Sequence, residues 1–286
     1  MAPRRTLRAG SRTYELGERP WLMAVVNANP DSFSGPGGDV EGADVVDVGG
    51  ESAITGRPPV EVDEEIARVV PVVERLAGAG RLVSVDTYKP AVAEAAIAAG
   101  ASIVNDVSGL RDPALADVCA RTGAALVLMH TRAAPKQRLQ DPAAYDDVVA
   151  DVARFLRERM AAAVDRGVAE EQLLLDPGPD FAKTPAQTIA VLQRLDALHE
   201  LGRPLLLAIS RKDFIGALTG RRPADRGAGT LAALAHGADA GGHVFRVHDV
   251  AAARDFLAVR AALRGEREVP PNLTLADELR HDPPVG

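Results

Sequence analysis

The stretch Leu205-Leu206-Leu207-Ala208-Ile209 is an apolar run that stops at Ser210-Arg211-Lys212. Seven other short apolar runs also stop at polar or charged residues, and helix-length segments separate most of them. In chain order, the residues at these eight ends are Asn27, Glu51, Asp86, Asn105 with Asp106, His130, Asp176, Lys212, and Arg246 with His248. This alternation predicts an α/β protein with eight βα units, which together form a closed (β/α)8 TIM barrel. Such barrels do their chemistry at the carboxyl ends of the strands, where these polar residues fall.

Helical patterns follow seven of the strands, at residues 62–79, 90–99, 113–121, 145–166, 185–199, 225–236 and 250–264. The first crossover differs, because residues 29–38 are rich in Pro, Gly and Ser, and we expect its outer helix to be short or missing. We predict one barrel domain at residues 21–264. Residues 1–20 form an N-terminal extension with a hairpin that closes the bottom of the barrel, and residues 265–286 form a flexible tail.

The formal charge of −7 and the pI near 5.4 argue against a nucleic-acid or anionic-membrane partner, since both require a basic surface. Cys119 is the single cysteine, so no internal disulfide forms. No apolar run approaches the roughly 20 residues that cross a bilayer. Residues 1–12 are basic but are not followed by the apolar stretch of a secretory signal. We therefore expect a soluble cytoplasmic protein.

Four of the strand-end residues, Asp86, Asn105, Asp176 and Lys212, point into one cup from different strands of the predicted barrel. Carboxylate and amide groups accept paired hydrogen bonds from a guanidine-like edge, and a lysine donates to a ring carbonyl or nitrogen. The set predicts a binding site for a flat heterocycle of the pterin or purine kind. The alternative is that each aspartate, like Asp106, caps the helix that follows it.

A second group of strand-end residues is basic. Arg246 and His248 alternate along the last strand and face the same side, next to Asn27 on the first strand. An arginine and a histidine clamp an anion well, and the amide oxygen of Asn27 is a suitable metal ligand. The alternative is that Arg246 pairs with Asp249 and His248 packs at the rim. His130 has no partner at metal spacing, so we expect it to form part of the pocket wall.

Most of these residues lie in seven ordered motifs within residues 21–263. The motifs are Asn27-x-x-Pro30-Asp31-Ser32-Phe33-Ser34, Asp47-Val48-Gly49-Gly50-Glu51-Ser52, Ser84-Val85-Asp86-Thr87-Tyr88-Lys89, Asn105-Asp106-Val107, Asp176-Pro177-Gly178-x-x-Phe181-x-Lys183-Thr184, Ser210-Arg211-Lys212-x-Phe214-Ile215-Gly216 and Arg246-Val247-His248-Asp249. The set resembles the motifs of the dihydropteroate synthase family. The resemblance implies a homodimeric barrel enzyme that joins 6-hydroxymethyl-7,8-dihydropterin diphosphate to 4-aminobenzoate and releases diphosphate, with Mg2+ as cofactor.

The resemblance also implies roles for individual residues. It implies a pterin pocket made of Asp86, Asn105, Asp176, Lys212, Phe181 and Met129. It implies that Arg246 and His248 bind the diphosphate and that Asn27 binds its metal. Arg246, His248 and Lys212 are the residues it assigns to catalysis. Neutralising the diphosphate allows C–O cleavage, so an arylamine attacks without a strong base or a covalent enzyme intermediate.

The chain departs from the family pattern on the co-substrate side of the site. Where the family reads Glu-Ser-Thr-Arg-Pro-Gly, this chain has Ala53 and Ile54 in place of the threonine and the arginine. Asp180 replaces a small or apolar residue. The first loop is also altered, with Ala28 and Asn29 before Pro30. The pterin motifs, by contrast, are intact.

Two functions of different classes therefore remain open. One is a working dihydropteroate synthase, which the intact Asn27, Arg246 and His248 favour, because a protein that only binds pterin has no need of them. The other is a pterin-binding paralogue without synthase activity, similar to the second copies of this enzyme in some actinobacteria. A corrinoid-linked methyltetrahydrofolate methyltransferase shares the barrel and the pterin pocket. It has no use for Lys212 with Arg246 and His248, so we place it behind the other two.

Overall fold

The computed structural model describes residues 2–28, 40–51 and 58–280. An antiparallel hairpin comes first, formed by β1 (Arg5–Ala9) and β2 (Arg12–Leu16). Eight parallel strands follow: β3 (Trp21–Asn27), β4 (Val45–Gly49), β5 (Leu82–Asp86), β6 (Ile103–Asp106), β7 (Ala125–Met129), β8 (Leu173–Asp176), β9 (Leu206–Leu207) and β10 (Val244–Val247). They pair in the order β8-β7-β6-β5-β4-β3-β10-β9, and a bridge between Leu175 and Leu205 brings β8 and β9 together. The predicted TIM barrel is confirmed.

The helices of the described residues surround this barrel. They are α1 (Val62–Gly78), α2 (Pro90–Ala98), α3 (Ala114–Thr122), α4 (Val148–Asp165), α5 (Pro185–Gln193), α6 (Asp196–His199), α7 (Asp213–Thr219), α8 (Gly227–Asp239) and α9 (Val250–Leu263). Each predicted helical pattern contains a helix, although the pattern at 185–199 divides into α5 and α6. Helix α7 was not predicted, because seven residues are too few to show a helical period.

The first crossover, between β3 and β4, has no helix in its described residues, which are 28 and 40–44. Its Pro-rich and Gly-rich part, on which the prediction of a short or missing helix rests, lies outside the described residues. Val40 to Asp44 form a turn in which the amide of Ala43 donates to the carbonyl of Val40 at 3.2 Å. The described part of this connection therefore leads directly into β4.

The hairpin packs against the amino-terminal end of the barrel. Leu7, Ala9 and Leu16 share one buried cluster with inward-facing barrel residues such as Met23 and Leu174. The structure thus has a hairpin within residues 1–20, at Arg5–Leu16. The boundaries of the three predicted segments stay predictions. Because the hairpin and the barrel share a core, we expect them to fold together.

The chain beyond α9 has little regular structure. A 3-10 turn at Asp277–Leu279 is its one element in the described residues, and residues 264–280 are solvent-exposed. Residues 281–286 lie outside the described residues, and the flexibility of the tail stays a prediction. Among the described helices, none is long and apolar enough to cross a membrane.

Candidate active site

A cavity of about 840 Å3 opens at the carboxyl ends of the barrel strands. Residues that end or follow all eight strands line it, from Asn27 after β3 to His248 after β10. Its volume lies in the range of small-molecule sites, and its position matches the end of the barrel where such enzymes act. The predicted location of the site therefore agrees with the structure.

The six residues of the predicted pterin pocket come together at the bottom of this cavity. Asp86, Lys212 and Phe181 line the cavity directly. Asn105 lies beside Asp86 in the parallel register of β5 and β6, and Met129 lies beside Asp176 in the register of β7 and β8. Asn105, Asp176 and Met129 are buried at 3%, 2% and 1% exposure, so they form the layer beneath the cavity. We call this layer, together with Asp86, the floor of the site.

The helix-capping alternative fails for the two floor aspartates. Helix α2 has Lys89 at its N-cap without a side-chain bond, and α5 is capped by the hydroxyl of Thr184. Asp86 and Asp176 therefore remain available to the cavity. Asp106 is different, because its carboxylate accepts from the amides of Ser108 at 2.8 Å and Leu110 at 2.6 Å. Its role is to hold the turn after β6.

Asp47, inside β4, connects the floor to the basic cluster. Its Oδ2 accepts from Nδ2 of Asn105 at 3.0 Å and from Nε of Arg246 at 2.7 Å. Nη2 of Arg246 donates to Oδ2 of Asp86 at 2.8 Å. Arg246 is therefore paired within the floor and not with Asp249, whose carboxylate caps α9. The sequence alone indicated no role for Asp47, because it lies inside an apolar run. A charged residue within such a run was the available signal, and in the structure its carboxylate is fully buried.

The floor carboxylates have raised pKa values. Burial raises the pKa of Asp86 to about 7, although the charge of Arg246 acts in the opposite direction. Burial likewise raises the pKa of Asp176 to about 6, against a hydrogen bond from Gly178 and the charge of Lys212. Burial acts to lower the pKa of Arg246, but Asp47 and Asp86 outweigh it and the pKa is raised. A ligand that brings N–H donors to the floor will favour the ionised carboxylates.

Lys212 lies over the ring of Phe181, with 4.3 Å between Nζ and the ring centroid, so the two make a cation–π contact. Asp180, one of the residues that depart from the family pattern, holds the start of α7, which directly follows Lys212. Its Oδ2 accepts from the amide of Asp213 at 2.5 Å, at the start of α7. Since the N-cap of α7 makes no side-chain bond, Asp180 caps that helix from another loop.

The residues around the open mouth of the cavity, Asn27, Glu51 and His248, form the rim of the site. Nδ1 of His248 lies 2.9 Å from Oγ of Ser210. Loss of water around the ring, followed by the charge of Arg246, lowers the pKa of His248 to about 4, so the imidazole is neutral at pH 7. The side chain of Asn27 is exposed on the cavity wall.

Ion pairs hold Glu51, which lies just before residues 52–57 in the loop that follows β4. Glu51 pairs with Lys89 at 2.8 Å and with Lys136 at 3.1 Å, and its Oε1 accepts from the hydroxyl of Tyr88 at 3.0 Å. Lys89 also pairs with Glu65, at 2.5 Å. These contacts fix the chain on both sides of residues 52–57. The substitutions at Ala53 and Ile54 lie outside the described residues.

His130 does not form the pocket wall that we expected. It is fully buried beneath the cavity, with Nδ1 2.7 Å from Nζ of Lys183 and Nε2 3.2 Å from Oδ2 of Asp151. The sequence placed His130 at the end of a strand, but it did not show that the side chain turns away from the cup. Lys183, the partner of His130, lies in the motif that begins at Asp176, and the sequence alone indicated no role for it.

Comparison with known proteins identifies the class. The model of the pterin binding enzyme family matches residues 40–248, and the chain belongs to this family. Dihydropteroate synthase of Escherichia coli is 40% identical over 246 residues, covering 81% of this chain and 87% of that protein. The inactive dihydropteroate synthase 2 of Mycobacterium tuberculosis is also 40% identical, over 279 residues, covering 91% of this chain and 87% of that protein.

Among solved structures, the dihydropteroate synthase of Burkholderia cenocepacia complexed with 7,8-dihydropteroate has a TM-score of 0.82 and 39% identity. The match covers 91% of this chain and 97% of that one. This chain is thus similar both to proteins named dihydropteroate synthase and to a paralogue named inactive.

Proposed function

We propose that this protein is a dihydropteroate synthase, which joins 6-hydroxymethyl-7,8-dihydropterin diphosphate to 4-aminobenzoate to give 7,8-dihydropteroate and diphosphate. One observation carries the proposal: Arg246 is bonded to Asp47 and Asp86 at the floor and lines the same cavity as His248, so a cation is held beside the floor. A site built only to hold a pterin needs the floor, whereas a site that removes a diphosphate also needs the cation beside it.

The floor binds and orients the pterin. Asp176 and Asn105 accept hydrogen bonds from the ring N–H and exocyclic NH2 groups, and Lys212 donates to the ring while it covers one side with Phe181. Ionised carboxylates favour these bonds, and the bound pterin in turn lowers their raised pKa values. The reacting methylene carbon then lies toward the rim.

At the rim, Arg246 and His248 bind the leaving diphosphate. Two of the three guanidinium nitrogens of Arg246 hold Asp47 and Asp86, which leaves Nη1 for a diphosphate oxygen. The C–O bond breaks and its electron pair leaves with the diphosphate. The nitrogen lone pair of the arylamine forms the new C–N bond, and its proton passes to solvent. Charge on the diphosphate grows along this path, so donors held at the rim lower the barrier.

Mg2+ fits this site only together with the diphosphate. In the described part of the chain, no group of three or more His, Cys, Asp or Glu residues is arranged to hold a metal. The amide oxygen of Asn27 is one hard ligand on the cavity wall, and Mg2+ commonly takes its remaining ligands from phosphate oxygens and water. When bound, the ion supplies charge neutralisation of the leaving group.

The second candidate is a pterin-binding paralogue without synthase activity. Ala53 and Ile54 favour it, because they remove a hydroxyl and a guanidinium from the co-substrate side. Growth rescue of a bacterial strain that lacks its own dihydropteroate synthase separates the two. A synthase restores growth without added folate-derived nutrients, whereas a paralogue that only binds pterin leaves the strain dependent on them although the protein is present and folded.

We also propose that the protein works as a homodimer in the cytoplasm. Large apolar side chains stand exposed on two helices, Leu218 on α7 and Val259 and Leu263 on α9, with exposures of 69%, 60% and 83%. Exposed apolar groups of this size are common where a second subunit packs. Light scattering of the purified protein should give twice the mass of one chain; a single-chain mass would contradict the dimer.

A further inference from the structure

The amine of Lys183 is buried, and among the described residues no carboxylate lies within hydrogen-bond distance of it; burial lowers its pKa to about 7, against the charge of Asp176. The side chain is 0% exposed, and its Nζ contacts Nδ1 of His130 at 2.7 Å, the carbonyl oxygen of Gly178 at 3.0 Å and that of Phe181 at 3.1 Å. All three acceptors are neutral. Burying a charge in this way is unfavourable unless the surrounding structure uses it. Lys183 takes no part in the proposed reaction.

Lys183 and Asp176 both bond to the backbone of one residue, Gly178. The amide of Gly178 donates to Oδ1 of Asp176 at 2.7 Å, and the carbonyl oxygen of the same residue accepts from Lys183. By holding the carbonyl oxygen of Gly178, Lys183 fixes the position of the residue whose amide orients the carboxylate. Only glycine fits here: its φ is +66°, and a Cβ would lie 2.1 Å from the carbonyl oxygen of His130.

The same ammonium holds the turn that carries Phe181. The amide of Phe181 donates to the carbonyl oxygen of Gly178 at 3.0 Å, and the carbonyl oxygen of Phe181 accepts a hydrogen bond from Lys183. Two neighbours in this turn, Asp180 and Ala182, have φ angles of +67° and +52°, which are unfavourable for residues with a Cβ. Such a turn persists only when its surroundings hold it. Lys183 supplies two hydrogen bonds to this turn, to the carbonyl oxygens of Gly178 and Phe181.

The far side of the lysine is also fixed. Because Lys183 donates to Nδ1 of His130, the ring proton lies on Nε2, which faces Oδ2 of Asp151. Burial lowers the pKa of His130 to about 3, so the ring stays neutral. Asp151 is held in turn by Arg132 at 2.5 Å and by Arg154. Ammonium, imidazole and carboxylate thus form a row beneath the floor.

We propose that Lys183 is a positioning residue of the pterin site, which orients the carboxylate of Asp176 through Gly178 and sets the ring of Phe181 beneath Lys212. The inference rests on the proposed function only in that Asp176 and Phe181 contact the pterin. It predicts that a change at a side chain that never touches substrate weakens the pterin half of the site selectively.

The test compares Lys183→Met, which keeps the volume and removes the donors, with Leu16→Ala, which removes packing in the barrel-bottom hairpin. Calorimetry with the pterin diphosphate and steady-state kinetics are measured on both. Lys183→Met should lose at least about tenfold in pterin affinity, because a charged donor to buried acceptors is gone. Its KM for the pterin substrate should rise while the KM for 4-aminobenzoate stays near that of the unaltered protein. Leu16→Ala should lose thermal stability and keep its pterin affinity.

A pH series adds a result that loss of packing alone does not produce. Asp176 is faced by the charges of Lys212, Lys183 and Arg246, and Lys183 is faced by Asp176, Lys212, Asp151 and Asp180. Only the charge at residue 183 changes in the variant. Without it the pKa of Asp176 rises, so the pH at which pterin affinity is half lost should move upward.

Several outcomes overturn the inference. A folded Lys183→Met protein with unchanged pterin affinity contradicts it. If Lys183→Met does not fold, Asp151→Asn at the outer end of the row replaces it: weaker pterin binding supports the inference, and unchanged binding contradicts it. If the unaltered protein binds no pterin diphosphate, the proposed function itself fails, which distinguishes that failure from a failure of the role of Lys183.

Discussion

The floor and the rim of the cavity are built in different ways. Asn105 in the floor is joined to Asp47, and Asp47 to Arg246, by direct side-chain bonds of 3.0 and 2.7 Å, so these positions are set before any ligand arrives. At the rim, His248 bonds only to Ser210 among the described residues, and Asn27 is exposed. The floor is a preorganised recognition surface, whereas the rim acquires its full set of partners from the diphosphate. This difference explains how one part of the site can bind pterin whether or not the other completes the reaction.

Arg246 belongs to both parts, so its removal should give the largest effect. Arg246→Met leaves Asp47 and Asp86 buried without their cation and also removes a donor to the diphosphate. We expect kcat to fall at least about 100-fold and pterin affinity to fall as well. Arg254→Met on α9, away from the cavity, is the matched control and should change neither. Loss of turnover with full pterin affinity would show that Arg246 serves the rim alone.

His248 tests the rim by itself. His248→Asn removes the imidazole without disturbing the floor bonds, so kcat should fall about 10- to 100-fold while pterin affinity stays within about twofold. Steady-state kinetics and calorimetry on the same preparation measure the two effects. If affinity falls as much as turnover, the separation of floor from rim is incorrect.

Protonation should weaken the floor selectively. The raised pKa values of about 7 for Asp86 and about 6 for Asp176 mean that the unliganded fold favours the protonated acids, a contribution lost as pH rises through 6 to 7. Pterin binding uses the ionised acids and gains over the same interval. We expect affinity to fall about tenfold or more from pH 8 to pH 5. An affinity that is flat with pH, measured by calorimetry at five or more pH values, would mean that the floor carboxylates stay ionised throughout.

The sequence predicted the barrel because eight apolar runs alternate with seven helical patterns, an arrangement that few other folds share. It predicted the floor residues because they stand at strand ends. It did not assign roles to Asp47, inside a run, or to Lys183, after a turn, since direction and partner depend on packing between distant strands. His130 shows the same limit: its place in the chain was read correctly, but its side chain faces Lys183 and Asp151 beneath the cavity.

The smallest expected effect concerns the altered loop. Ala53→Thr with Ile54→Arg restores the hydroxyl and the guanidinium that the family pattern has, and we expect a several-fold gain in kcat/KM for 4-aminobenzoate with pterin affinity unchanged. No gain, in a protein that already turns over well, would show that the loop does not limit the reaction.

The account depends most on whether pterin binding at the floor leads to chemistry at the rim. The direct measurement incubates the purified protein with 6-hydroxymethyl-7,8-dihydropterin diphosphate, 4-aminobenzoate and Mg2+, and follows 7,8-dihydropteroate by mass spectrometry alongside released diphosphate. The synthase account predicts equal amounts of both products, formed only when both substrates are present and strongly reduced in His248→Asn. Tight binding of the pterin diphosphate without dihydropteroate, under conditions in which the Escherichia coli enzyme forms it, would contradict the account and leave a pterin-binding paralogue.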